Sequence, residues 1–210
     1  MIRGVVFDMD GVLIEAKDWH YEALNRALGL FGFEISRYEH LTTYDGLPTR
    51  RKLDMLSIGS GLPRELHGFI NDMKQIYTTE LVHAHCRPQF VHEYALSNLK
   101  AAGLRLGVAS NSVRSTVELM MHKASLAQYL DVMLSNEDVA CAKPNPEIYV
   151  EAMRRLDLRP EECLVVEDNE NGIAAARASG AHVMVVADVS DVTLDAIRRR
   201  IAACAVAGAA

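Results

Sequence analysis

The chain has 210 residues, half of them apolar and 24% charged, a balance that excludes disordered, collagen-like and coiled-coil chains. A formal net charge of −6 argues against non-specific nucleic-acid binding, which relies on lysine and arginine contacts to phosphate, yet it permits a local site for a small anion. No apolar run reaches the roughly 20 residues a bilayer span needs, so no membrane partner is expected.

Met1-Ile2-Arg3-Gly4 leads straight into a strand-like segment, and no signal peptide is expected. Gly4–Phe7 is a short apolar, β-branched run ending in acid at Asp8, the pattern of a central strand covered on both faces. Residues 16–83 then read as helical, over Trp19–Leu30, Arg50–Ile58 and Pro63–Leu81, with no convincing strand. Beyond them Gln89–Ala102 reads as a helix stopped by Gly103, Leu104–Ala109 as a strand and Asp131–Leu134 as another. Met120 and Met121 are expected on the helix between those two strands. Asn145-Pro146-Glu147 marks a helix start, with Asn as N-cap and Pro at the first helical position. Ile148, Tyr149, Ala152, Met153 and Leu156 follow at helical spacing. Cys163–Glu167 reads as a strand ending in acid, Gly172–Ser179 as a short Ala-rich helix, and Val183–Val186 as a last strand. The small or apolar tail Ile201–Ala210 is not read as a long amphipathic stripe.

Alternating helix and strand implies parallel strands joined by right-handed crossovers. The expected fold class is α/β: a Rossmann-like parallel sheet interrupted by a helical insertion. The boundaries are 1–15 and 84–210 for the core and 16–83 for the inserted domain. Such sheets bind ligands at the carboxyl ends of their strands, where Asp8, Asp10, Ser110, Asn111, Glu167 and Asp168 all fall.

Four segments carry the chemistry. In Asp8-Met9-Asp10-Gly11, two carboxylates leave a strand toward one crevice and Gly11 allows a sharp turn. Paired carboxylates can divide the work of nucleophile and proton donor; alone, the pair is equally a turn or helix cap. Ser110-Asn111-Ser112 puts a hydroxyl and an amide before a helix N-terminus, which suits a phosphate but in isolation is more simply an N-cap. Lys143, before Pro144-Asn145-Pro146, can set one positive charge on a phosphate, although a lone lysine is more often solvated. Glu167-Asp168 ends a buried-type strand with two acids whose repulsion calls for a hard divalent cation such as Mg²⁺. Of the remaining signals, His83-x-His85 near Cys86 has no further ligand spacing and reads weakly as a metal site. Cys86, Cys141, Cys163 and Cys204 show no C-x-x-C pair and read as reduced, mostly buried thiols of a cytoplasmic protein.

In order and spacing these four segments resemble the haloacid dehalogenase-like superfamily, over essentially the whole chain. Asp8-x-Asp10-Gly11 looks like its first motif, Ser110 its second, Lys143-Pro144 its third and Glu167-Asp168 its fourth. Residues 16–83 look like its cap domain. Within the superfamily the likeness is to the β-phosphoglucomutase and small-metabolite phosphatase group. The resemblance implies that Asp8 attacks phosphorus and that Asp10 serves as acid and then base. It implies that Ser110 and Lys143 hold the non-bridging oxygens. Mg²⁺ would be held by Asp8, the Asp10 carbonyl, Asp168 and Glu167, the last directly or through water. Gly11, Asn111, His20, Gly46 and Arg50 are the expected substrate and phosphate contacts. Asp10 disfavours the dehalogenase and phosphonate branches, which would lack it. Glu15 stands where many relatives carry Asp, a change of little weight.

Hydrolysis and intramolecular transfer are the two alternatives within that group. His20 sits at a plausible cap hinge, but Asp45 occupies the position where a mutase lysine is expected, and its charge repels a sugar phosphate. Arg50, Arg51 and Lys74 compensate only in part. The sequence therefore favours a phosphatase of a small phosphorylated metabolite over a mutase. A non-catalytic phosphate-binding or interaction module on the same fold is the alternative of another class.

Overall fold

The computed structural model describes residues 1–207. Two compact units divide the chain, Met1–Glu15 with the residues from Arg87 onward, and Ala16–Cys86. The second crossing falls after residue 86 because the helix before it continues to His85.

In the first unit β1 (Gly4–Phe7), β2 (Arg105–Ala109), β3 (Val132–Leu134), β4 (Cys163–Glu167) and β5 (His182–Val185) form a parallel sheet in the order β3-β2-β1-β4-β5. The strands at the centre bury both faces, so their residues are apolar without alternation. Val6, Ala109 and Val165 pack with Ile148, Tyr149, Ala152 and Met153 of α7 (Glu147–Arg155) and with Ala175 and Ala176 of α8 (Glu170–Ala178). Val5, Phe7, Leu106, Val108, Leu164 and Val166, buried and alternating with these, take the opposite face. There α5 (Phe90–Ala101) contacts β2 and α9 (Leu194–Ala207) contacts β5. The crossover from β2 to β3 runs through α6 (Arg114–Lys123), where Met120 and Met121 are buried.

Residues 201–207 of the apolar tail belong to α9; Leu194, Ile197 and Cys204 are its buried positions. Residues 208–210 of that tail lie outside the described residues. At the start of α7 the helix begins at Glu147, one residue later than the sequence suggests, with Pro146 in the flanking position. Asn145 still caps it, since its Oδ1 accepts from Glu147 N–H at 3.0 Å. None of the helices in the described residues is long and apolar enough to cross a membrane. The four cysteines are free; Cys86, Cys163 and Cys204 are buried and Cys141 is exposed. Burial pushes the Cys163 thiol up to about 12.

The second unit is helical: α1 (Lys17–Gly29), a short α2 (Arg37–Glu39) running into a π turn at His40–Tyr44, α3 (Thr49–Ser60) and α4 (His67–His85). Leu24, Ala27, Leu28, Ile35, Tyr44, Leu53, Leu56, Leu62 and Ile70 form its core. Asn25 ties α1 to the following loop, donating to Ile35 O and accepting from Ile35 N–H, both at 2.9 Å. His40 is buried, its ring 5.2 Å from that of Tyr21. Burial, with repulsion from Lys52, lowers the His40 imidazole to about 4.

Two consequences are testable. Helix α8 passes so close to the end of β4 that a Cβ on Gly172 would lie 1.8 Å from Glu167 Oε1. Gly172→Ala should therefore displace Glu167 and lower stability by about 1–3 kcal/mol, seen as a lower urea midpoint. His40 is depressed from 6.5 to about 4, so the neutral fold loses stability as pH falls below 6.5, and the loss levels off near 4. His40→Gln should flatten the stability-pH slope in that window by on the order of 1–3 kcal/mol relative to wild type; denaturant melts at several pH values check it.

Candidate active site

Three strands, β1, β2 and β5, are prolonged by one further main-chain bond each, and these bonds set the polar residues in place. Asp8 N–H donates to Val166 O at 2.9 Å, Ser110 N–H to Leu134 O at 3.1 Å, and Val186 N–H to Glu167 O at 2.9 Å. Asp8, Ser110 and Glu167 are thus fixed by the sheet rather than by loops. Past Asp8 the chain folds on itself. Met9 O accepts from Leu13 and Ile14, Gly11 N–H donates to Ile14 O at 2.7 Å, and Gly11 takes φ +90°, which a side chain disfavours.

Lys143 is the centre of the site and is only 5% exposed. Its Nζ donates to Asp8 Oδ1 at 2.5 Å, to Glu167 Oε1 at 2.8 Å and to Ala109 O at 2.9 Å. An ammonium has three protons, and all three are committed. The loop that delivers it is held from two sides. Asn111 Oδ1 accepts from Lys143 N–H at 3.1 Å, and the Glu147 carboxylate accepts from the N–H groups of Ala140 and Cys141 at 2.9 Å. The Lys143-Pro144 peptide is cis. Asn111 therefore ties the second segment to the third, a structural bond beside the phosphate contact its position suggests. Asn136 in turn holds Asn111 O at 2.9 Å.

Ser110 Oγ accepts from Ser112 N–H at 3.0 Å, and Ser112 Oγ donates to Asp10 Oδ2 at 3.2 Å. Glu167 Oε1 accepts from the Tyr149 hydroxyl as well as from Lys143. Its Oε2 accepts from the N–H groups of Asp168 and Asn169 at 3.1 and 3.3 Å.

Negative charge dominates. One oxygen each of Asp8, Glu167 and Asp168 lie within 4.8 Å of one another. Burial pushes the Asp8 carboxyl well above the usual carboxylate range; Lys143 opposes this, while Glu167, Asp10 and Asp168 add to it. Burial by itself would lower the Lys143 ammonium, but Asp8 and Glu167 hold it above its ordinary value. Burial and then the Glu167 charge push the Tyr149 phenol well up, so it stays a donor. Three hard oxygen donors with excess negative charge fit a small divalent cation such as Mg²⁺. Among the described residues this is the cluster with that composition. The Asp10 side chain is not part of it, and His83 and His85 are not either; the His85 ring lies 6.2 Å from that of Trp19.

The structure thus gathers Asp8, Asp10, Gly11, Ser110, Asn111, Lys143, Glu167 and Asp168 at the carboxyl ends of β1, β2 and β4. His20, Gly46 and Arg50 belong to the helical unit. His20 Nδ1 lies 3.2 Å from Lys74 Nζ, Gly46 has φ +69°, and Arg50 is exposed on α3. Sequence reasoning missed Tyr149, read there as one apolar position of a helical stripe, and Gly172, read as the start of an Ala-rich helix. The one signal for Tyr149 is a hydroxyl within an otherwise apolar face next to the lysine segment.

The chain resembles known proteins over most of its length. The family model of haloacid dehalogenase-like hydrolases matches residues 5–186. The phosphorylated carbohydrates phosphatase of Thermotoga maritima is 29% identical over 182 residues, 85% of this chain and 82% of that protein. The structure of CbbY from Rhodobacter sphaeroides with xylulose-(1,5)bisphosphate superposes with a TM-score of 0.80 at 26% identity, covering 88% of this chain and 86% of the other. β-Phosphoglucomutase from Clostridium difficile shares the fold with a TM-score of 0.85 at 19% identity, covering 98% and 100%. A five-stranded parallel sheet whose central strand runs into Asp8, facing Lys143 and a second pair of acids, thus sits in a chain that belongs to the haloacid dehalogenase-like hydrolase family.

Proposed function

We propose that the chain is a Mg²⁺-dependent phosphatase that hydrolyses a small, sugar-phosphate-like metabolite through an aspartyl phosphate on Asp8. The observation that carries this is the Lys143 ammonium 2.5 Å from Asp8 and 2.8 Å from Glu167 at the end of the central strand. A nucleophilic carboxylate and a fixed positive charge meet there, where a phosphoryl group would bring its own negative oxygens.

In this reading Asp8 Oδ attacks phosphorus and the ester oxygen leaves with a proton from Asp10. Asp10 then takes a proton from water, which opens the aspartyl phosphate and regenerates Asp8. Ser112 Oγ, bonded to Asp10 Oδ2, orients that carboxyl for both transfers. Lys143 and Ser110 neutralise and hold the non-bridging oxygens, where charge must be met in the transition state. Asp8, Asp168 and the Asp10 carbonyl would hold Mg²⁺, with Glu167 directly or through water, and the ion when bound offsets the repulsion between phosphate and carboxylates. The helical unit takes the part of the cap, so residues such as His20, Gly46 and Arg50 choose the leaving group. Asp45 beside Gly46 disfavours a second phosphate and supports hydrolysis over the mutase reaction. A cytoplasmic location is consistent with four free cysteines.

The test is phosphate release from a panel of phosphorylated metabolites with Mg²⁺, including β-glucose 1-phosphate with glucose 6-phosphate also followed. Phosphate release that Asp8→Asn abolishes is the expected result. Glucose 6-phosphate formed without free phosphate would replace the hydrolase by a mutase, and activity retained in Asp8→Asn would sink the mechanism. EDTA should silence turnover and added Mg²⁺ restore it; turnover indifferent to EDTA would contradict the metal assignment. Asp10→Asn should leave a phosphoenzyme about 80 Da heavier than the free chain by intact mass, the mass a phosphoryl group adds.

A further inference from the structure

Tyr149 lies outside the four motif segments, on the buried face of α7, and is fully buried. Its hydroxyl donates to Glu167 Oε1, and its ring centroid is 4.7 Å from Lys143 Nζ. It shares an apolar core cluster with Ile148, Ala152, Met153, Val6 and Val165. A phenylalanine would fill that volume and keep the ring beside the ammonium. What the hydroxyl adds is the bond to Glu167.

The count of donors gives that bond a role. Each carboxylate oxygen offers two acceptor positions. On Glu167, Oε1 takes Lys143 Nζ and the Tyr149 hydroxyl, and Oε2 takes two main-chain N–H groups. Lys143 likewise has all three protons committed, one of them to Asp8. The direction in which Glu167 Oε1 faces is therefore one of three constraints on where the ammonium rests. Removing the hydroxyl leaves one buried lone pair unmatched beside the ammonium.

We propose that Tyr149 is a positioning residue for phosphoryl transfer: through Glu167 it holds the Lys143 ammonium on Asp8. The proposal rests on the phosphatase reading, and the experiment separates the two. Tyr149→Phe in the full chain is assayed on p-nitrophenyl phosphate with saturating Mg²⁺. The Mg²⁺ dissociation constant is measured by calorimetry without substrate, and the unfolding midpoint is recorded. The expected result is a kcat about 10–100-fold lower, with KM and the Mg²⁺ Kd each within about threefold of wild type. A purely structural role would lower the unfolding midpoint and leave kcat of the folded enzyme unchanged, which would overturn the proposal. A Mg²⁺ Kd weakened in step with kcat would also overturn it, because Tyr149 would then act through the metal. If wild type releases no phosphate from any ester, the hydrolase reading falls by itself. The decision on Tyr149 then passes to ¹⁹F NMR of trifluoroberyllate with Mg²⁺. Fluorine shifts that differ between wild type and Tyr149→Phe support the positioning role; identical spectra, or no adduct on the wild type, overturn it.

Discussion

A buried lysine surrounded by acids governs this molecule. Taking an ammonium out of water is costly unless its protons and charge are all met, and Lys143 meets that condition with Asp8, Glu167 and the Ala109 carbonyl. Each partner comes from a different strand: Asp8 follows β1, Ala109 ends β2 and Glu167 ends β4. Their convergence is possible because β1 lies between β2 and β4 in the sheet. The same arrangement leaves more carboxylates than cations among the chain's own groups. That imbalance makes the site receptive to a hard metal ion.

Rigidity here is layered. The sheet positions Asp8, Ser110 and Glu167 through main-chain bonds one residue beyond the strands. Side chains then fix what the sheet does not reach: Asn111 and Glu147 hold the loop that carries Lys143, and Ser112 engages Asp10. Close packing of α8, with Gly172 against the Glu167 carboxylate, completes the enclosure. Little in this arrangement depends on exposed ion pairs, which contribute about 0–1 kcal/mol each. The helical unit is built differently, on a core of its own from α1, α3 and α4.

Much of the site is legible in the sequence because acids directly follow apolar, β-branched runs. Asp8 after Gly4–Phe7 and Glu167 at the end of Cys163–Glu167 announce both strand and chemistry. The spacing of Ser110, Lys143 and Glu167-Asp168 then identifies a family, which no one of these segments could do alone. Periodicity cannot tell what a buried hydroxyl meets. Tyr149 counts as an apolar position of α7 by spacing, and its bond to Glu167 exists only once α7 has packed under β4. Asn111 Oδ1 bonds to a backbone 32 positions away, and Gly172 is required by a neighbour that it meets only in the folded state. Helix α9 is hidden by its alanines, although its buried Leu194, Ile197 and Cys204 keep helical intervals.

The separation of these partners along the chain has a consequence for biosynthesis. Asp8 is translated before its counter-charge on Lys143, which follows 135 positions later, and β4, which pairs with β1, comes later still. An emerging chain thus carries a solvated aspartate at this position until Lys143 and β4 have left the ribosome. Contacts of such long range form late in folding. Asp8 therefore meets its counter-charge only when the sheet closes around it, and a product ending before Lys143 lacks that partner altogether.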